Sequence, residues 1–508
     1  MGRLETNLEK IPIRFRLTRG SYFSFLGTLV TVTGNFTISV ILARLLGSEG
    51  LGIYTIYTVL GVVFIPLLSL SIPSAVAKFT AELRNRDKNH LVSILSTAVA
   101  VLMAGGVAGA AILFLVVAPL IGGVYDEPLL VPMVRILAAF VMANLVALFA
   151  GAILQGLEEF QSASLVGGLS ILANVPLLLL LLPSFGPLGA ALAGAATALA
   201  NAGLATWVAS KALRRHQIAW RGRPSRADAR TLVAFVGPLN AASVIARASI
   251  FVQTTLVAVY VGFRGLGLLR VAGVFYNAIL FFPRTLLSPM IPVLTSMVVS
   301  RPANRSREIL TQLVKLALLL VVPLAGGLIL GLPAAIAILY GTEFLPALPF
   351  AAVLSVAAIF AFPNIILGEQ YLIATGRTMN GLLVTGYSAA TGLGLTVALL
   401  PAIGAMALPL ASLLSESTLF AILIAWLNRG GELSVRPLAP ALGYTLLAVP
   451  AALLLNSLLP PGTGIVLAMP FAASLAALGF FVLMDRGERN LLAGTIRGAV
   501  SGLRRQGA

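Results

Sequence analysis

The chain has 508 residues, of which 59% are hydrophobic and 10% are charged, and its mean hydropathy is +1.01. This composition excludes a soluble globular domain and predicts an integral membrane protein. The formal net charge of +17 would suit nucleic acid, but the basic residues cluster between apolar runs, where anionic lipid and the positive-inside rule explain them. We therefore expect the lipid bilayer, and no nucleic acid, as a partner. The absence of cysteine excludes disulfides, thiolate metal sites and a cysteine nucleophile.

Residues 1–20 are basic and contain no apolar segment followed by a small-residue cleavage site. We therefore expect a cytoplasmic N-terminal segment without a cleaved signal peptide, followed by a first span that is retained.

Fourteen stretches of the chain are apolar over the length of about 20 residues that a spanning helix needs. Of the 34 Lys and Arg residues, 27 lie in tails and connections on one side of these spans. The positive-inside rule then predicts a multi-pass protein of the cell membrane with both termini in the cytoplasm. The predicted spans, numbered 1 to 14, cover residues 21–46, 53–73, 93–121, 131–154, 163–182, 186–209, 232–261, 268–288, 311–338, 347–367, 381–400, 402–427, 438–459 and 463–484.

Segments of the first half recur in the same order about 215 residues later. The matching positions include Gly47–Gly52 with Gly262–Gly267, Tyr125 with Tyr340, and Gly186 with Gly404, at offsets of 215, 215 and 218. This collinear spacing predicts a duplication of six spans. Because six is even, the two copies share one orientation and form parallel repeats, an arrangement typical of transporters.

The repeat defines the predicted architecture. It is an all-α membrane protein with two six-helix lobes and two extra C-terminal helices. The predicted parts are a cytoplasmic segment at 1–20, an N-lobe at 21–210, a basic cytoplasmic linker at 211–231, a C-lobe at 232–427, spans 13 and 14 at 438–484 and a cytoplasmic tail at 485–508.

Spans 1 and 7, which correspond in the repeat, both carry polar residues at helical spacing. These residues include Thr28, Thr31 and Asn35 in span 1, and Asn240, Ser243, Arg247 and Gln253 in span 7. Such stripes arise in helix packing, because Ser and Thr form hydrogen bonds between membrane helices. They also line water-filled or substrate cavities. Their occurrence in corresponding helices favours a cavity lining.

Two charged residues lie deep in the second half. Arg247 is near the middle of span 7, where an arginine costs about 2.5–3.5 kcal/mol to insert. Its partner is predicted to be either the diphosphate of a lipid-linked sugar, which a guanidinium binds in bidentate fashion, or Glu416 in span 12. Glu416 is itself a candidate for coupling transport to H⁺ or Na⁺, and structural pairing with Arg247 is the alternative.

Three segments carry a family resemblance: Ala43–Tyr54 after span 1, Ala152–Glu158 after span 4 and Leu339–Phe344 after span 9. In order and spacing they resemble the polysaccharide flippases of the multidrug/oligosaccharidyl-lipid/polysaccharide exporter superfamily. The resemblance implies two six-helix lobes in a V shape around a central cavity, and movement of a lipid-linked sugar by alternating access. Fourteen spans, rather than twelve, favour the polysaccharide and lipid II relatives over drug exporters.

In such a family spans 1 and 8 border the cleft, which makes Arg44 and Arg270 additional cavity candidates. Both lie near predicted span ends, so snorkelling to lipid headgroups is the alternative for each.

An enzyme is not expected. The predicted outer connections are short, His90 and His216 form no metal site or triad, and no Walker A sequence is present. We expect no cofactor and an energy supply from an ion or substrate gradient. The predicted function is a flippase for polyprenyl-diphosphate-linked oligosaccharide, with proteins of polysaccharide assembly as candidate partners. An ion-coupled multidrug exporter and a non-transporting scaffold for envelope assembly are the alternatives.

Overall fold

The structure is a computed structural model and describes residues 13–220, 222–287, 303–372, 375–459 and 463–484. Every regular element in these ranges is helical, which confirms the predicted all-α class. In lipid a helix satisfies its own backbone hydrogen bonds, whereas an open strand edge does not. The α-helices are α1 Ile13–Ser69, α2 Ile72–Leu83, α3 Lys88–Ile112, α4 Ala118–Tyr125, α5 Leu130–Gly156, α6 Phe160–Arg215, α7 Arg226–Leu287, α8 Ala303–Ala335, α9 Leu348–Asn364, α10 Thr378–Ile403, α11 Ala407–Arg429, α12 Ala439–Leu458 and α13 Thr463–Leu478.

Within the described ranges, ten helical segments are long and apolar enough to cross a membrane. The chain is therefore a multi-pass membrane protein. Four of the ten are 38 to 56 residues long and contain a backbone break: Leu29–Ser69, Phe160–Arg215, Val244–Phe281 and Met379–Arg429. Each of these four contains two predicted spans, in whole or in part. The total of fourteen membrane crossings stays a prediction.

The breaks in these four segments occur at glycines in matched pairs. Gly47 has φ 66° and ψ −176°, and Gly262 has φ 83° and ψ 172°. Gly186 has φ 54° and ψ −134°, and Gly404 has φ 56° and ψ −133°. Residues other than glycine rarely adopt positive φ, so each break needs this residue type. The pairs have the offsets found in the sequence, and the backbone repeats the predicted duplication.

The chain forms two compact units. Unit 1 is Met1–Leu46 with Ile53–Phe251, and unit 2 is Gly47–Gly52 with Val252–Ala508. Helix α7 therefore contributes to both units, and the short turn Gly47–Gly52 belongs to unit 2 although the helical chain on either side belongs to unit 1. The predicted domain limits, which place the division in the linker at 211–231, stay a prediction.

In unit 1, helix α5 packs along α6 and also contacts α2 and α3. Contact with α2 is close at Gly156, where a Cβ would lie 2.5 Å from the Thr80 side chain. Arg84, which follows α2, donates hydrogen bonds to the Gly156 carbonyl at 3.3 Å and to the Glu158 carboxylate. These contacts fix the end of α5 against α2 without any bulky side chain between the two backbones.

In unit 2, helix α8 is the central element and packs against α9, α12 and α13. Its contact with α13 is close, since a Cβ on Gly464 would lie 2.2 Å from the Leu330 carbonyl oxygen. In the most apolar stretch of the Arg307–Tyr340 segment 78% of the residues are buried, against 22% in the corresponding Lys88–Tyr125 segment of unit 1. The two C-terminal helices, α12 and α13, thus cover a face of α8 in the second copy.

Outside the spans of unit 2, Glu432 joins two connections. It accepts hydrogen bonds from the Tyr371 hydroxyl at 2.6 Å and from the Arg377 guanidinium at 2.7 Å. Burial, together with the hydrogen bond to Glu432, raises the pKa of Tyr371 above its usual range. The phenol therefore stays protonated and able to donate at physiological pH.

The connections that follow α6 and α11 are fastened in the same way in both units. In unit 1 the Ser225 backbone N–H donates to the Thr97 hydroxyl at 2.9 Å, and in unit 2 that of Ser434 donates to the Thr311 hydroxyl at 3.0 Å. Each threonine hydroxyl in turn donates to the carbonyl four residues earlier, at 2.8 Å. The duplication therefore extends to the side chains that position these connections.

Thr97→Val and Thr311→Val should each lower the free energy of unfolding by about 1 kcal/mol, because a part-buried serine N–H loses its acceptor. Valine keeps the shape of threonine, so packing changes little. Thermal unfolding of purified protein in detergent measures the effect. Ser210→Ala is a matched control, since its hydroxyl is exposed and binds only within its own helix. Equal stability of all three variants would contradict the role given to the two threonines.

Candidate functional site

The predicted polar stripe of span 1 lies on α1 in unit 1. Asn35 is exposed and Thr31 is half-buried. The Thr31 hydroxyl donates to the Gly27 carbonyl of its own helix at 2.8 Å, so it binds no neighbouring helix through that hydrogen. The side chain of Thr28 lies outside those that the structure describes. An exposed amide on a membrane-length helix is costly against lipid, which favours a polar environment for Asn35.

The polar stripe of span 7 lies on α7. The helix belongs to unit 1 up to Phe251 and to unit 2 from Val252 onward. The side chains of Asn240 and Ser243 are outside the described part of the structure. Arg247 belongs to unit 1, and its side chain is exposed. Glu416 belongs to unit 2, so the predicted ion pair between these two residues stays a prediction. An exposed guanidinium within a membrane-length segment requires water, a headgroup or an anionic ligand beside it.

Gln253, the last stripe residue, lies in unit 2 and contacts α10. Its side-chain oxygen lies 3.4 Å from the Thr396 hydroxyl, which donates to the Gly392 carbonyl of its own helix at 2.7 Å. Two earlier residues of α10 bind α11. Thr391 shares a hydrogen bond of 2.7 Å with Ser415, and the Tyr387 hydroxyl donates to Thr418 at 3.0 Å. Gln253 therefore takes part in a row of polar contacts along α10 within unit 2.

Glu416 lies on α11 and is held by Asn364, which no sequence pattern singles out. The side-chain amide of Asn364, at the end of α9, donates to the Glu416 carboxylate at 2.7 Å and to the Glu416 backbone carbonyl at 2.8 Å. Asn364 is 5% exposed, and its side-chain oxygen is buried without a hydrogen-bond partner among the described residues. A carboxylate and an unsatisfied amide oxygen are thus placed together inside unit 2.

The signal that could have identified Asn364 is its isolation. It is the single amide side chain in predicted span 10, at residues 347–367. A buried acceptor without a partner is costly in a low-dielectric interior, which suits a site that gains a proton or a cation. Glu416 with Asn364 is the pair in unit 2 that fits such a ligand. Among the described residues no group of three His, Asp or Glu side chains has the arrangement of a metal site.

Arg44 and Arg270 lie next to the repeated glycine motif. Arg44 is three residues before Gly47 and is exposed, and Arg270 is three residues after Gly267 and is half-buried. Both arginines take part in interactions in the structure. Their assignment to a cavity stays a prediction.

A family model described as "Polysaccharide biosynthesis protein" matches residues 17–298, which is more than half of the chain. The chain belongs to this family. The match confirms the resemblance inferred from the segments after spans 1 and 4, because both lie within the matched residues. A comparison with curated protein sequences found no match.

Solved structures with the same fold are transporters of the MOP superfamily and a lipid II flippase. "Lipid II flippase MurJ, inward closed conformation" aligns with a TM-score of 0.72 at 13% identity, over 91% of this chain and 97% of that one. "Inward-facing conformation of a multidrug resistance MATE family transporter of the MOP superfamily" aligns with a TM-score of 0.67 at 15% identity, over 78% of this chain and 93% of that one. At these identities the likeness shows the fold of this family member.

Proposed function

We propose that the protein is a flippase that moves polyprenyl-diphosphate-linked oligosaccharide from the inner to the outer leaflet by alternating access. Membership of the polysaccharide biosynthesis family supports a glycan precursor as the substrate. The fold shared with a lipid II flippase over 91% of the chain supports a lipid-linked cargo. In this role the protein is a transporter of the cell membrane with both termini in the cytoplasm, and it is not an enzyme.

Arg247 carries the substrate part of the proposal. Its guanidinium is exposed within a membrane-length segment, where an arginine without an anionic or aqueous neighbour is costly. A diphosphate supplies two adjacent anionic groups that match the planar donor fork of arginine. We assign Arg247 to the diphosphate of the substrate, and Arg44 and Arg270 to further contacts with its anionic part.

The sugar requires neutral polar partners, and the corresponding helical stripes supply them. In the proposal the contacting side chains are Thr28, Thr31 and Asn35 of α1 and Asn240, Ser243 and Gln253 of α7. Hydroxyls and amides both donate and accept, which suits the hydroxyl groups of an oligosaccharide.

Glu416 and Asn364 carry the coupling part of the proposal. The half-buried Glu416 carboxylate and the unsatisfied Asn364 amide oxygen are two oxygen acceptors that can bind a proton or Na⁺. Occupancy of this pair would bias unit 2 between two states, and a downhill ion gradient would then drive transport. Such coupling needs no bound cofactor and no nucleotide.

Reconstitution tests the role of Arg247. In proteoliposomes with a fluorescent polyprenyl-diphosphate oligosaccharide, Arg247→Ala should lower the transport rate by about 10- to 100-fold, because charge-assisted hydrogen bonds are worth about 1.5–3 kcal/mol. Arg247→Lys should restore part of the rate, since lysine keeps the charge but loses the bidentate geometry. Arg223→Ala is a matched control, because Arg223 is an exposed arginine of the connection between α6 and α7.

The multidrug alternative draws on the MATE transporters that share the fold. It predicts that wild-type protein exports cationic drugs against a proton gradient and leaves lipid-linked oligosaccharide in place. The scaffold alternative predicts that Arg247→Ala and Asn35→Leu leave glycan assembly intact in cells while protein levels stay normal. Either result would replace the flippase proposal.

A further inference from the structure

The two copies of the repeated glycine motif pack against each other within unit 2. A Cβ on Gly52 would lie 1.9 Å from the Phe263 carbonyl oxygen, and a Cβ on Gly267 would lie 1.9 Å from the Ser48 carbonyl oxygen. Ser48 corresponds to Phe263 in the repeat, and Gly52 corresponds to Gly267. Each copy therefore places the same glycine against the same carbonyl of the other, as in a two-fold symmetric contact. We call this contact the glycine crossing.

A second contact fastens the same turn. The Ser48 backbone N–H and hydroxyl both donate to one carboxylate oxygen of Glu343, at 2.8 and 2.6 Å. Ser48 is 2% exposed, whereas Glu343 is exposed. A Cβ on Gly47 would lie 3.4 Å from both carboxylate oxygens, so the turn fits closely against the acid. Two hydrogen bonds to a carboxylate hold the first motif copy on unit 2.

The second motif copy cannot repeat the hydroxyl part of this contact. The residue that corresponds to Ser48 is Phe263, which has no hydroxyl. The acid 216 residues before Glu343 is Glu127, and its carboxylate accepts a hydrogen bond from the Leu129 N–H of its own loop at 3.2 Å. The glycine crossing is therefore symmetric in the repeat, whereas the hydrogen bond from a hydroxyl to Glu343 belongs to the first copy of the motif.

The contacts of the turn Gly47–Gly52 can break and form again. The glycine crossing brings backbone against backbone with no interlocking side chains, so it can part without rotamer changes. Glu343 is already exposed, so water can solvate its carboxylate when Ser48 leaves. Because water replaces the two hydrogen bonds that the carboxylate loses, opening costs little enough for a conformational cycle to supply.

We propose that Ser48, Glu343 and the glycine crossing form a clasp that opens and closes once in each transport cycle. In the open state the turn Gly47–Gly52 separates from Glu343 and from the second copy of the motif. By charge counting this turn lies on the outer side of the membrane, so the clasp controls release toward the outer leaflet. The inference rests on the proposed transport function.

A reversible cross-link tests the clasp in a chain that has no native cysteine. Ser48→Cys with Glu343→Cys, bridged by a short bis-thiosulfonate reagent, should lower transport of the fluorescent lipid-linked oligosaccharide by at least about tenfold, with full recovery after reduction. Thr311→Cys with Ser434→Cys is the control pair, because these residues also touch within unit 2 but on the predicted cytoplasmic side. Transport at the unlinked rate after bridging would show a permanent tether and overturn the proposal.

A labelling experiment separates failure of the clasp from failure of the transport function. In Ser48→Cys the thiol takes the place of a buried hydroxyl, so the rate of its reaction with a charged maleimide reports opening without any transport measurement. Adding Glu343→Gln weakens the acceptor and should raise the labelling rate by about three- to tenfold, because hydrogen bonds to a charged acceptor are stronger than those to a neutral one. A labelling rate that is unchanged by Glu343→Gln would contradict the clasp even if the protein transports lipid-linked oligosaccharide.

Discussion

Gly267→Ala is expected to be among the most damaging single substitutions in this chain. The new Cβ would lie 1.9 Å from the Ser48 carbonyl oxygen and 3.2 Å from the Gly52 nitrogen, both of which are backbone atoms. Backbone cannot rotate away as a flexible side chain does, so the turn must separate from α7. We expect a loss of roughly 2–4 kcal/mol in the free energy of unfolding, measured by thermal and denaturant unfolding in detergent.

Gly273→Ala is the matched control for this substitution. Gly273 lies six residues further along α7, and a Cβ there would meet no atom within 4 Å. Alanine is favoured over glycine in a helix interior by about 1 kcal/mol, so this variant should be as stable as wild type or slightly more so. Wild-type stability of Gly267→Ala would mean that the glycine crossing is not tight in the protein.

Gly52→Ala tests the symmetry of the crossing. The new Cβ would lie 1.9 Å from the Phe263 carbonyl oxygen. This equals the distance between the Cβ of Gly267→Ala and the Ser48 carbonyl oxygen. Because both substitutions act on one contact, the double variant should be less destabilised than the sum of the two single variants. Strict additivity would show that the two glycines act at independent places.

Glu416→Gln is expected to abolish the stimulation of transport by an ion gradient while leaving the fold intact. The glutamine oxygen can still accept the Asn364 amide hydrogen bond, so the free energy of unfolding should change by less than about 1 kcal/mol. The charge that would bind a proton or Na⁺ is removed. Transport driven by an imposed pH or Na⁺ gradient should fall by at least about tenfold, to the level seen without a gradient.

Two further variants are compared with Glu416→Gln. Glu308→Gln is the control, because Glu308 is an exposed acid at the start of α8. Asn364→Leu should lower the free energy of unfolding by about 1–3 kcal/mol, since it takes a buried donor away from the Glu416 carboxylate. A Glu416→Gln protein that keeps its full response to the gradient would exclude Glu416 as the coupling residue.

The helical class and the repeat could be predicted from the sequence, because both depend on local patterns. Apolar length predicts membrane helices, and the offset between Gly47 and Gly262 predicts two turns with matching backbone geometry. The residues that hold these turns could not be predicted from the sequence. The Ser48–Glu343 contact joins positions 295 residues apart, and neither residue departs from an ordinary loop composition.

Asn364 was missed for a related reason. One amide in an apolar span is compatible with simple helix packing, and only its unsatisfied oxygen beside Glu416 distinguishes it. Arg247 is a candidate on its depth in the span alone, since a charge there is conspicuous in any apolar segment, and its role stays a prediction. Charged residues within spans are thus predictable from sequence, whereas the neutral residues that position them need the three-dimensional structure.

The unequal burial of α8 and its counterpart α3 means that the two halves of this chain cannot substitute for each other. Helix α8 presents Gly326, Gly327 and Gly331 toward α13, so large side chains are excluded there. Among the described residues, 22% of the most apolar stretch of the corresponding Lys88–Tyr125 segment is buried, against 78% for α8 and its extension to Tyr340. A chimera built from two first halves followed by α12 and α13 should insert into a membrane, yet its last two helices would have no surface on which to pack.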